Sequence, residues 1–151
     1  MLEPALRANG QRRLAELGVA DLLIGIPSYK NAPTIGYVMD IAAKCAQKHF
    51  PLLRSVIAVV DGGSSDETVP IASTRVLPPS MRRIVTTYQG IQGKGSAVRA
   101  LFEIARVVGA QVCVVLEADL ESLTPEWIQR LVQPILNREY DYAIPAYARP
   151  L

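Results

Sequence analysis

The 151-residue chain is half hydrophobic, long enough to bury one sizeable core and too apolar to be mainly disordered. Its 16 Lys and Arg against 14 Asp and Glu leave a net charge of +2, which excludes a nucleic-acid reader that works through a strongly basic face. Two cysteines rule out a disulfide framework or a cysteine-based zinc site, and Cys45 and Cys113 read as small buried hydrophobes. The charged start MLEPALRANGQRRL is not a signal peptide, and no apolar run approaches the ~18 residues of a membrane span. A soluble cytoplasmic protein with no membrane segment is therefore expected.

In chain order, residues 4–17 read as a surface helix, with Pro4 early and Gly18 as its C-cap. LLIGI after Asp21 suits a short buried strand, and PSYKNAPT breaks it with two prolines. From Thr34, a candidate N-cap, the apolar residues Ile35, Val38, Met39, Ala42 and Cys45 recur at helical spacing. SVIAVV (55–60) is a second strand, closed by Asp61 and a Gly-Gly-Ser-Ser turn. A helix over 66–75 requires Pro70 to lie in its first turn. RRIVTT (82–87) is a third strand and YQGIQGKG a loop. A helix follows over 96–108, with Val98, Leu101, Phe102, Ala105 and Val108 on one side.

Residues 111–116 form a fourth strand, apolar enough to be covered on both faces like a central parallel strand. Thr124 and Pro125 then offer an N-cap and first position for a helix to about Leu136, and residues 140–145 read as a last strand. Strands alternating with helices predict a Rossmann-like α/β domain, mostly parallel and helix-covered on both faces, with its ligand beyond the carboxyl ends of the strands. Those ends carry Pro27-Ser28-Tyr29, Asp61-Gly62-Gly63, the stretch from Tyr88 to Gly95, and Glu117-Ala118-Asp119.

Each rim motif has a plain structural reading beside a functional one. Glu117 and Asp119 are spaced to point to the same side of an extended chain. They are either solvated acids at a strand end or ligands to a hard divalent cation whose remaining sites go to water and phosphate. The loop GIQGKGS is neither a Walker A sequence nor GxGxxG. It is either a Gly-rich turn or a cation, Lys94, placed with Gly93 at a helix N-terminus to face a diphosphate. Ser64, Ser65 and Asp66 are sufficiently explained as turn and cap residues.

Asp61 is either a turn aspartate or an acceptor for a nucleobase N–H, with Gly62 and Gly63 letting a flat ring approach the backbone. Pro27, Ser28 and Tyr29 make either an ordinary loop or a cradle for base or ribose. The single histidine, His49, reads as a surface residue and Trp127 as core. No nucleophilic triad can be drawn with that histidine.

The order of these motifs resembles the nucleotide-sugar-binding half of GT-A glycosyltransferases, notably family 2 and the glucosyl-3-phosphoglycerate synthases. IGIPSYKNAPTI is similar to the opening strand and loop, VVDGGSSDET to VDDGSxDxT, QGKGSAVRALFEIA to GKGxAxxxG, and VVLEADLESLTPEWI to the DxD strand and following helix. The resemblance implies that Pro27, Ser28, Tyr29 and Asn31 wrap the nucleoside and that Asp61 and Gly62 meet the base. Lys94, after Gly93, would lie near base or phosphate. Asp119 would bind Mg²⁺ or Mn²⁺, with Glu117, beside Ala118, contacting ribose, the metal or its water.

Two departures stand out: the first DxD acid is Glu117, and Asn31 is followed by Ala32 where an acid is common. The resemblance further implies a UDP- or GDP-sugar donor and an unknown acceptor. Residues 1–151 would then be one nucleotide-sugar-binding domain without the C-terminal acceptor-binding half. It would then be a truncated or split protein or one that a partner completes, and an exposed sheet edge would also favour dimerisation. A non-catalytic nucleotide-binding or assembly module is the competing reading. A sugar-phosphate nucleotidyltransferase fits less well, because PSYKNAPT is not the Gly- and Arg-rich loop it needs, and a flavodoxin-like or response-regulator domain gains nothing from Gly-Lys-Gly.

Overall fold

The computed structural model describes residues 4–146. Strands β1 (Leu22–Ser28), β2 (Ser55–Asp61), β3 (Arg82–Thr87) and β4 (Val112–Val115) alternate with helices α1 (Ala8–Leu17), α2 (Ile35–His49), α3 (Thr68–Thr74), α4 (Lys94–Val108) and α5 (Pro125–Leu136). The strands form one sheet in the order β3-β2-β1-β4, parallel throughout. β1 and β2 are buried along their whole length, which is why their sequences run apolar without alternation.

Successive side chains on these strands feed opposite cores. Ile24, Ile26, Ile57 and Val59 meet Val38, Met39, Ala42 and Cys45 of α2 and Ile128 and Val132 of α5. Leu23, Val56, Ala58 and Val60 meet Leu101, Ile104 and Val108 of α4 and Leu14 of α1. Burial pushes the Cys45 thiol up to about 12 and the Cys113 thiol up to about 11, so both stay neutral. Asp21 ties the lower end of the sheet together. Its carboxylate accepts from the Arg54 Nε (2.9 Å), NH2 (2.8 Å) and backbone amide (2.8 Å), and its carbonyl accepts from Gln111 N (2.8 Å).

Five sequence expectations change. The first helix starts at Ala8, because residues 4–7 are extended: Leu6 makes an antiparallel bridge to Tyr88 and the Gln89 amide donates to Ala5 O (2.8 Å). On α4, Phe102 stands 56% exposed, since Ala100, Ile104 and Leu101 already fill the face against the sheet. β4 ends the described sheet instead of sitting at its centre, with Cys113 and Val115 only half-buried. Residues 140–145 form no strand, find no pairing partner among the described residues, and leave Tyr140, Tyr142 and Ile144 exposed. His49 is largely buried, with Nε2 3.6 Å from Glu126 Oε1.

Two other local expectations stand. Pro70 falls in the first turn of α3. Thr124 caps α5, its Oγ1 accepting from Trp127 N (3.2 Å), and Trp127 packs partly buried against the core. No helix among the described residues is long and apolar enough to cross a membrane.

Candidate functional site

Strand order reverses between β1 and β4, and a parallel sheet opens a crevice at the carboxyl ends beside such a switch. There a cavity of about 420 Å³ is lined by Pro27, Ser28, Tyr29 and Asn31 after β1, by Gly62 after β2, and by Gly93 and Lys94 at the start of α4. Glu117, Ala118 and Asp119 after β4 complete the far wall. Four motifs separated by up to 92 positions in sequence thus share one wall-to-wall space.

The β1–α2 loop is held by the turn after β2. Lys30 N donates to Ser64 Oγ (2.8 Å), Asn31 N to Thr68 Oγ1 (2.8 Å) and Ala32 N to Asp66 Oδ2 (3.3 Å), while Asn31 Oδ1 accepts from Tyr29 N (2.8 Å). The Thr68 hydroxyl, which also donates to Asp66 (2.5 Å), holds that carboxyl below its ordinary value. Ser64 and Asp66 are thus turn residues as expected, with the added task of shaping the loop that carries Tyr29 and Asn31.

Asp61 behaves differently from a rim acceptor. It is 1% exposed and does not line the cavity. Oδ1 accepts from Ser28 Oγ (2.8 Å) and Ser64 Oγ (2.7 Å), and Oδ2 from Gly63 N (2.9 Å) and Ser64 N (2.7 Å). Four donors fill the lone pairs a carboxylate offers. Gly62 is the residue that faces the cavity, and a β-carbon there would lie 3.3 Å from Tyr88 Oη and 3.4 Å from Tyr29 Cδ2.

The acids lie beyond β4 in a turn: Leu116 N still pairs with Gly25 O (2.8 Å), Ala118 is buried, and Glu117 and Asp119 are exposed. Thr34, expected to cap α2 with its side chain, instead donates from Oγ1 to Ala118 O (2.7 Å), fixing this turn to the start of α2. Lys94 Nζ forms an ion pair with Glu117 Oε1. Among the described residues no three acidic, histidine or cysteine groups converge as a metal cage. Glu117 and Asp119, both on the cavity wall, nevertheless offer the oxygen donors that a hard cation would take together with phosphate and water.

Sequence reasoning did not single out Tyr88, Gln92 or Ala97, which also line the cavity. Tyr88 and Gln92 were within reach, because both fall on the rim stretch after β3. The buried ring of Tyr88 places its hydroxyl to accept from Gly93 N (2.9 Å).

A parallel sheet with this order, its helices on both faces and its rim of loop, cation and paired acids, defines a Rossmann-like α/β domain of the GT-A type. The model of glycosyl transferase family 2 matches residues 23–150, and the chain belongs to that family. It is 31% identical over 143 residues to glucosyl-3-phosphoglycerate synthase of Petrotoga mobilis, covering 92% of this chain and 42% of that protein. Among solved structures, mannosyl-3-phosphoglycerate synthase of Rubrobacter xylanophilus superposes with a TM-score of 0.55 at 24% identity, over 85% of this chain and 39% of that one. Glucosyl-3-phosphoglycerate synthase of Mycobacterium tuberculosis, in complex with uridine diphosphate, gives 0.55 at 18% identity, over 90% and 46%. The chain therefore spans less than half the length of these relatives.

Proposed function

We propose that the cavity binds a nucleoside-diphosphate sugar with Mg²⁺ or Mn²⁺, and that the protein transfers the glycosyl group to an acceptor. The observation that supports this is the ion pair of Lys94 with Glu117 on a cavity wall that also carries Asp119, in a chain of family 2. The base and ribose lie against Pro27, Ser28, Tyr29, Asn31 and Gly62. The diphosphate lies at Gly93 and Lys94, where an ammonium and a helix N-terminus both favour an anion.

Asp119 is the principal metal ligand and Glu117 the second, released from Lys94 when phosphate oxygens take over the ammonium. A divalent cation held there supplies Lewis-acid stabilisation to the leaving diphosphate. Lys94 adds charge-assisted hydrogen bonds to the same oxygens. Asp61 supports the site by fixing the Gly62 turn.

Among the described residues Glu117 and Asp119 are the only carboxylates on the cavity wall, and in the proposed mode both go to metal or ribose. In this reading no lining residue serves as general base, and the group that activates the acceptor is left to a residue outside them. The named activity of the Petrotoga relative makes glucose the first sugar to test and 3-phosphoglycerate the first acceptor. Calorimetric titration with UDP-glucose, GDP-mannose and the free diphosphates, with and without Mn²⁺, tests the reading. Metal-dependent binding is expected, and no heat at millimolar nucleotide would leave the chain a structural or assembly module.

A further inference from the structure

We propose that Tyr88, and not Asp61, reads the nucleobase, its hydroxyl donating a hydrogen bond to an exocyclic carbonyl oxygen of uracil or guanine. This rests on the nucleotide reading of the cavity. A base amide or imide N–H would need an open acceptor on Asp61, and that carboxylate is buried with both oxygens already doubly engaged by Ser28, Gly63 and Ser64. Any ligand contact there would break one of those bonds in a buried setting, where an unmade bond is costly.

Tyr88 offers the reverse. Its Oη accepts from Gly93 N at 2.9 Å, and its own hydrogen is donated to no acceptor among the described residues. The residue is 9% exposed, yet it lines the cavity. It is also held firmly, through the bridge to Leu6 and the Gln89 amide on Ala5 O at 2.8 Å. A phenol that has accepted one hydrogen bond keeps its O–H for another partner, and a fixed donor at low exposure discriminates better than a mobile one.

The position suits a base edge. Gly62, Tyr88 Oη and the Tyr29 ring meet at one corner of the cavity, the hydroxyl and the ring lying 3.3 and 3.4 Å from where a Gly62 β-carbon would stand. A flat ring entering beside Tyr29 brings its polar edge to the hydroxyl. Uracil and guanine can present a carbonyl oxygen there, whereas adenine presents an amino group, which cannot accept the hydroxyl's hydrogen.

Calorimetry with UDP, GDP and ADP in Mn²⁺, on the wild-type protein and Tyr88→Phe, tests this, with thermal unfolding as the check on folding. The wild type is expected to prefer UDP or GDP to ADP. Tyr88→Phe should lower affinity for the preferred diphosphate by about five- to tenfold, the effect of one hydrogen bond, and leave ADP binding little changed, so that the preference narrows. An equal loss for all three would mean that Tyr88 only pins Gly93 and would overturn the base-reading role, as would no loss at all. If the unmodified protein binds none of the three, the nucleotide reading itself fails and this inference with it.

Discussion

Lys94 and Glu117 neutralise each other in a direct ion pair on the cavity wall. Both side chains are more than half exposed, so the pair is screened and adds little to folding stability. In the proposed binding mode the pair exchanges partners, the diphosphate taking the ammonium and the carboxylate turning to a cation. Lys94→Ala should therefore weaken UDP by about tenfold or more while leaving uridine almost untouched, as expected for a charge-assisted bond made only to phosphate. Calorimetry on both ligands checks this, and equal losses would move Lys94 away from the phosphate. At this scale the sequence was informative about residue type and less so about direction. Asp61 read equally as a turn residue or a base acceptor, and only the four donors gathered around it decide how its oxygens are used.

Among the elements, α4 matters most, because its first residues carry Gly93 and Lys94 to the cavity. It rests on β1 at Gly25, where a β-carbon would come within 2.9 Å of both Leu101 methyl carbons. Gly25→Ala should overpack this contact, cost about 2 kcal/mol in denaturant unfolding and weaken UDP binding by displacing the helix start. An unchanged midpoint would show that Leu101 gives way freely. Helical spacing made the presence of α4 legible, but it put Phe102 on the inner side. Periodicity cannot tell how close a helix sits, and the close approach at Gly25 turns Ala100, Leu101 and Ile104 inward at the expense of Phe102. Residues 4–7 misled for a related reason. Their pairing with Tyr88 and Gln89 is a contact across more than eighty positions, which local propensity does not carry.

For the whole molecule, the βα alternation announced a parallel sheet with its ligand at the carboxyl ends, and the rim motifs do converge there. The place of β4 at the end of the described sheet was not legible, since an apolar run reads the same whether it is central or awaits a neighbour. Stability should carry an acid limb. The Arg54 side chain and amide hold the Asp21 carboxyl well below the usual carboxylate range, and Thr68 and Lys48 lower Asp66 and Glu126. A depressed folded-state value contributes fully above the ordinary carboxylate value near ~4 and is lost as pH falls below it. The thermal midpoint should thus drop by several degrees on acidification. Asp21→Asn should start lower at neutral pH and fall less steeply, whereas parallel curves would remove Asp21 from the acid limb.

In the proposed site one cavity holds metal and diphosphate together through Asp119. The most direct test is the affinity for Mn²⁺ measured with and without saturating UDP, in the wild type and in Asp119→Ala. Coupling through shared phosphate oxygens should tighten Mn²⁺ by about tenfold or more when UDP is present, and Asp119→Ala should abolish that gain. Mn²⁺ affinity indifferent to UDP, or a gain that survives the loss of Asp119, would show that metal and diphosphate do not share a site at Asp119.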